Sequence, residues 1–221
     1  MKKIEIPSNL TTLAYNSIRE YILQGRLDES SRLTEDFLSE QLGISKSPVR
    51  EALNRLEAEG LIRIEPRKGA YLRKLSMVEI KELYDTREAL EAHVVRTAVV
   101  TAALLAELRK SLSRQRALLQ ANDKARYIEE DVRFHALLAQ ATGNGFLCSV
   151  LSNIQNQIWL SRRKTYDLSS TTAPDCHEAI IKALEEGSAD RAERAMREHI
   201  RNVVSRLLQF LENSQPAANG A

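Results

Sequence analysis

Four residues of this chain, Asp131, His135, His177 and His199, could together hold a metal ion. Asp131 lies four residues before His135, so on a helix its carboxylate and that imidazole project from one face, a turn apart. His177 and His199 fall in two further segments of helical periodicity. Three imidazoles and one carboxylate from three helices suit a borderline divalent ion. Spacing across helices does not establish convergence, so each histidine also fits as an ordinary surface or core residue. His93, among Ala92, Val94 and Val95, reads as packing or surface. A second chemistry lies in residues 45–60, where Lys46, Arg50 and Asn54, each four apart, share a polar face opposite Val49, Ala52, Leu53 and Leu56. A short helix with that face suits a groove of DNA.

The elements that must position these groups follow from local signals. Ser45 or Ser47 can cap the reading helix, Pro48 sits early, where its missing donor is tolerated, and Gly60 stops it. Residues 34–42 form a short amphipathic helix with Thr34 as N-cap and Phe37, Leu38 and Leu42 on one side; the turn Gly43-Ile44 then makes a helix-turn-helix. Residues 61–64 and 70–72 read as strands around a Pro66-Arg67-Lys68-Gly69 turn, a wing. From Ser76 onward strand signals vanish. Ser76 and Glu79 form a capping box for a helix reaching about Val100. Further helices are expected at 102–121, 123–141, 145–165, 172–186 and 188–212, separated at Asn122, residues 142–144, residues 169–174 and Gly187. The expected fold is mainly α: a winged helix-turn-helix of three helices and a small β wing over 1–74, a bundle of about six helices over 75–213, and a flexible polar tail at 214–221.

Composition permits this. The 221 residues suffice for two modest domains with cores of their own, 43% are hydrophobic, and only 5% are aromatic. The net charge of +2 does not by itself suggest nucleic acid. Its distribution does: residues 44–74 carry eight basic side chains against four acidic ones, an excess of four. Cys148 and Cys176 have no metal-type spacing and are expected as reduced thiols. No signal peptide opens the chain and no apolar run approaches membrane-spanning length, so a cytoplasmic protein without a membrane partner is expected.

Arg32-Leu33-Thr34-Glu35, the run 38–45, the run 48–53 and Glu59-Gly60-Leu61-Ile62 together resemble, over about residues 10 to 74, the winged helix of GntR-type repressors. The resemblance implies Lys46, Ser47 and Arg50 at bases or phosphates in the major groove, Thr34 at phosphate, and the wing tip with Arg67 and Gly69 near the minor groove. Arg50 could fork onto a guanine edge, a contact worth about 1–3 kcal/mol of discrimination. Family members often carry arginine where this chain has Lys46, which cannot make the same planar fork, so base and phosphate contact both stay open there. Asp36 departs from members with a basic contact at that position and receives no role at DNA.

In the second half, residues 131–135 (Asp-Val-Arg-Phe-His), Cys176-His177-Glu178, and Glu198-His199-Ile200 resemble the Asp-x-x-x-His, His and His signature of the FCD effector domain, the partner of the winged helix in the FadR-type branch. This implies that Asp131, His135, His177 and His199 bind a divalent metal, with Zn favoured over Ni, Mn or Fe, and that a small organic acid is the effector. Residues 84–91 resemble the first bundle helix of that family, whose arginine, here Arg87, can pair with the effector carboxylate. An Arg87–Glu91 pair on the helix surface is the alternative. Arg162 and Arg163 could also face the pocket, or be solvated at a helix end. A homodimeric, ligand-responsive repressor on a palindromic operator is the expected function. A metal-stabilised regulator without effector is an alternative, as is a metal-dependent hydrolase. The hydrolase lacks support, because Glu130 and Glu178 point about 100° away from the ligands beside them and no HExxH helix or partnered nucleophile appears.

Overall fold

A short helix can be held rigidly only if its apolar face is covered, and the first unit is built around that cover. In the computed structural model, residues 9–24 and 31–214 are described; the side chains of residues 9, 160–165, 167–169 and 214 fall outside the description. The expected tail at 214–221 therefore lies, apart from the backbone of residue 214, outside the described residues. The chain divides into two compact units, Met1–Lys74 and Leu75–Ala221.

In the first unit, α1 (Asn9–Leu23), α2 (Glu35–Leu42) and α3 (Lys46–Ala58) are followed by β1 (Ile62–Glu65) and β2 (Gly69–Leu72). The stripe Val49, Ala52, Leu53 and Leu56 is buried, against Ala14, Ile18 and Ile22 of α1 and Leu38 of α2 among the unit's other buried residues. Burial of each Val or Leu there contributes about 1.5–3 kcal/mol. Lys46, Arg50 and Asn54 are exposed, so the two faces of α3 separate as the spacing predicts. Thr34 caps α2 by accepting from the Phe37 amide at 3.1 Å, and Gly43 ends it at φ 64°, a left-handed conformation open to glycine. Phe37 departs from expectation: only Leu38 of the predicted apolar side is buried, while Phe37 is 41% exposed. Among the described elements the eight-residue helix packs chiefly on α3, which covers Leu38 and leaves Phe37 toward the surface. Ser45 sits at the N-cap of α3 without a side-chain cap bond, so the start of that helix does not rest on its hydroxyl.

The strands pair antiparallel, Ile62 opposite Leu72 and Glu65 opposite Gly69. Leu33 adds an isolated bridge to Ala70, with backbone bonds of 2.8 Å in both directions, a pairing that the sequence pattern does not announce.

The second unit contains α4 (Met77–Thr97), α5 (Ala102–Gln120), α6 (Lys124–Gln140), α7 (Gly145–Ser169), α8 (Ala173–Glu185) and α9 (Ala189–Ser214). The Ser76–Glu79 capping box is formed in both directions. Thr101, Asp123 and Asn144 each cap the following helix through a side-chain oxygen. Helix α7 runs four residues beyond its expected end at Thr165. Helix α9 packs on α4 and α8, and α6 lies between α5 and α7. Phe134, Leu138, Leu108, Ile180, Met196 and Ile200 are buried in the core those helices share. No helix among the described residues is long and apolar enough to cross a membrane.

Candidate metal centre and DNA-facing surface

Asp131 and His135 of α6, His177 of α8 and His199 of α9 are all buried, and one ligand atom from each lies within 4.8 Å of the others. Three helices thus do converge on one interior point. The rings of His135 and His199 are 5.2 Å apart between centroids, those of His177 and His199 4.6 Å. His177 also stacks on Phe134 at 4.1 Å. Its Nδ1 bonds Gln115 Oε1 of α5 at 2.8 Å, which fixes Nδ1 as the donor and turns Nε2 inward, 3.6 Å from Asp131 Oδ1. His135 is held the same way, its Nδ1 donating to Glu91 Oε2 of α4.

The donor set fits a divalent cation. His135 Nε2 and both ring nitrogens of His199 are buried with no hydrogen-bond partner, an arrangement that is costly unless a cation accepts the lone pair of His135 Nε2 and of one His199 nitrogen and an acceptor meets the N–H of the other. Burial, then the neighbouring His177 and His135, depress the pKa of His199 well below the usual value, so it stays neutral, as a ligand must.

Glu91 is the hub beside this cluster. Its carboxylate accepts from Arg87 Nε at 2.6 Å, from Gln155 Nε2 of α7 at 3.2 Å, and from His135. Burial alone would raise its pKa, but the charges of Arg87 and His135 and their hydrogen bonds outweigh it and pull it down to about 2. Arg87 itself is fully buried, and its Nη1 and Nη2 have no partner. The Arg87–Glu91 pair therefore exists, but in the interior rather than on the helix surface, and it leaves the outer edge of the guanidinium available. The side chains of Arg162 and Arg163 lie outside the described residues. Glu91, Gln115 and Gln155 were not singled out as centre residues by sequence. Glu91 carries one signal, its place one turn beyond Arg87; Gln115 and Gln155 carry none. His93 is exposed, and Glu130 and Glu178 are engaged by Arg133 and Arg116 rather than turned toward the ligands. Cys148 and Cys176 are free thiols.

On the first unit, Lys46, Ser47 and Arg50 share the exposed start of α3. Lys46 pairs with Asp36, and Arg50 donates through Nε and Nη2 to the two oxygens of Glu35 at 2.7 and 2.6 Å. Thr34 Oγ1 is occupied as a cap acceptor, while its hydroxyl hydrogen remains a donor. In the wing, Pro66 and then a positive φ of 65° at Arg67 give the pattern of a type II turn, closed by Lys68 N–H to Glu65 O at 3.0 Å. Pro66 and Arg67 are thus the central residues of the turn, and Lys68 follows them. Gly69 begins β2, where a Cβ would stand 2.7 Å from Leu33 O, so what it supplies is close backbone approach.

Comparison with known proteins agrees with both halves. The family described as "Bacterial regulatory proteins, gntR family" matches residues 10–72, and the FCD domain family matches residues 82–202. The HTH-type transcriptional repressor RspR of Escherichia coli K12 is 27% identical over 206 residues, covering 90% of each chain. The gluconate operon transcriptional repressor of Bacillus licheniformis is 27% identical over 215 residues, covering 92% of this chain and 87% of that one. Among solved structures, E. coli McbR/YncC superposes with a TM-score of 0.82 at 22% identity, over 91% of this chain and 98% of that one, a likeness of fold.

Proposed function

Because the chain belongs to the GntR family of bacterial regulatory proteins and carries an FCD domain, and is thus a DNA-binding transcriptional regulator rather than an enzyme, we propose that it is a ligand-responsive repressor of a metabolic operon. Its input is a small carboxylate bound beside a divalent metal in the bundle, and its output is the affinity of Lys46, Ser47, Arg50, Thr34 and the Arg67 wing for a palindromic operator, gripped by a homodimer. The ion, of which zinc is the best match to three imidazoles and a carboxylate, would supply positive charge and open coordination positions.

The observation that carries this reading is the unpartnered, buried Nη1–Nη2 edge of Arg87 next to the histidine cluster. An uncapped buried guanidinium edge is a costly feature unless an anion completes it. Charge supports an acid as that anion. With a divalent ion held, Asp131 and Glu91 cancel its charge and Arg87 leaves one positive charge, which a monocarboxylate would neutralise. Without the ion the same residues sum to one negative charge, and an anion would be repelled. Effector binding should therefore require the metal.

A thermal-shift panel of hydroxy-, aldonic and dicarboxylic acids tests this on zinc-loaded and chelator-treated protein. An acid at a hundred times its Kd stabilises by about 2.7 kcal/mol. The expected result is a shift with zinc, none after chelation, and a loss in Arg87→Lys, which keeps a charge for Glu91 but not the planar fork. A carboxylate that binds equally well without metal, or to Arg87→Lys, would defeat the assignment.

A further inference from the structure

Acidic side chains on a surface that must meet phosphates weaken binding, yet the first turn of α2 places Glu35 and Asp36 directly on two of the three cations of the reading helix, Arg50 and Lys46. The helix dipole accounts for acids in a first turn. It does not account for the register of the Glu35–Arg50 contact. A guanidinium has a side edge, Nε with Nη2, and an end edge, Nη1 with Nη2. Glu35 takes the whole side edge with two parallel bonds of 2.7 and 2.6 Å. Nη1 has no hydrogen bond among the described residues, and the Arg50 side chain is 61% exposed, so the end edge is presented to solvent. That edge carries two parallel donors and matches the O6 and N7 acceptors of guanine in the major groove.

We propose that Glu35 is a specificity-determining residue, which clamps the side edge of Arg50 so that its end edge reads one guanine in each half-site. The clamp acts in two ways. It holds a long side chain in one orientation before DNA arrives, removing the alternatives in which Arg50 would swing onto a phosphate or a neighbouring base. It also lowers the general attraction for phosphates, which is the sequence-independent part of affinity. Glu35 thereby gives up affinity for every duplex and keeps the difference between right and wrong sequences, since specificity is a difference of affinities. Asp36, paired with Lys46, adds to the second effect only, because an ammonium has no edge to orient.

This inference rests on Arg50 reading a base, and the test separates the two ideas. The full chain is used to select duplexes from a random pool, and binding of the selected duplex and its single-base variants is measured for the parent, Glu35→Gln, Arg50→Ala and the double variant. Arg50→Ala should erase preference at one guanine, a change of about 5- to 150-fold. Glu35→Gln, which keeps size but not charge, should lower discrimination at that same base pair at least fivefold, leave other positions alone, and raise affinity for random DNA. The double variant should discriminate no worse there than Arg50→Ala. If Arg50→Ala leaves every base preference intact, Arg50 is not a reader and the reading beneath the proposal fails. If Arg50→Ala erases the guanine preference but Glu35→Gln retains it in full, the clamp alone is overturned.

Discussion

Replacing Glu91 should damage the protein in two separable ways, and the structure gives each a size. Glu91 neutralises Arg87, and both side chains are at most 2% exposed. Glu91→Leu leaves a buried cation without its counter-charge, which costs about 3–5 kcal/mol. At about 2–4 °C per kcal/mol for a chain of this size, the melting point should fall by roughly 6–20 °C. The second effect is on metal. Glu91 accepts the Nδ1–H of His135 and so keeps that ring turned with Nε2 toward the cluster; losing such an outer partner typically lowers metal affinity about 10- to 100-fold. The double variant Arg87→Met/Glu91→Leu removes both charges and no longer strands either. It should recover part of the stability, short of about 1 kcal/mol for each of the two donors, Gln155 Nε2 and His135 Nδ1, that lose Glu91 as acceptor, while its zinc affinity stays low. Melting in chelator and competitive zinc titration measure the two quantities independently. Zinc affinity in the double variant within about threefold of the parent, against the 10-fold minimum expected, would refute the role of Glu91 at His135. A double variant as unstable as Glu91→Leu would refute the charge argument.

Acid should destabilise the metal-free protein. The pKa of His199 is depressed in the fold, so below the unfolded value of 6.5 the unfolded chain binds a proton that the native state refuses. Its stability contribution is full above pH 6.5 and falls with decreasing pH, by up to about 1.4 kcal/mol per pH unit for one such group; chelator-treated protein with a flat unfolding free energy from pH 7.5 to 5.5 would contradict this. Gly69→Ala should destabilise the winged unit by at least about 1–3 kcal/mol in urea unfolding, because its Cβ would meet Leu33 O at 2.7 Å at a φ of 110°. Gly43→Ala, also at positive φ but with nothing within 4 Å, should cost less, about 1 kcal/mol. Equal losses at the two glycines would mean that backbone strain, not the wing's contact with Leu33, sets the requirement.

Periodicity and punctuation made much of the architecture legible. Val49, Ala52, Leu53 and Leu56 needed only their spacing to be read as the covered face of α3, and Ser76 with Glu79 announced α4 through a box that forms as read. What stayed hidden depends on which faces meet. Phe37 has the right spacing for burial, yet among the described residues nothing covers it fully. The Leu33–Ala70 bridge joins residues distant in the chain and carries no local pattern. At the centre the four residues that converge could be named, but not the groups that orient them. Gln115 and Gln155 look like surface residues in a polar helix, and Glu91 like half of an i,i+4 pair; all three are buried because α5, α7 and α4 turn those positions inward.

That burial bears on how the bundle could switch. A helical core needs no arginine, glutamate, aspartate or three histidines in its interior, and placing them there sacrifices stability that apolar side chains would provide. Each polar atom at the centre that has a protein partner draws it from another helix or from the next turn: Glu91 binds side chains of α4, α6 and α7, and His177 is held from α5. Among the atoms left over are His135 Nε2, the ring nitrogens of His199 and the Nη atoms of Arg87, which a metal and an anion would complete. A ligand shifts an equilibrium only through its differential affinity for two arrangements. Here the differential is built in, because an arrangement that spreads α6, α8 and α9 apart cannot offer side chains from all three to one ion, and one that moves α4 away takes the Arg87 edge with it. Metal and carboxylate must then favour the same closed bundle, and by linkage each should tighten the other's binding. Zinc affinity measured with and without a saturating effector acid should differ by the factor found for the acid with and without zinc. A factor of one, with zinc affinity unchanged by the acid, would mean that the two do not favour a common arrangement of the bundle.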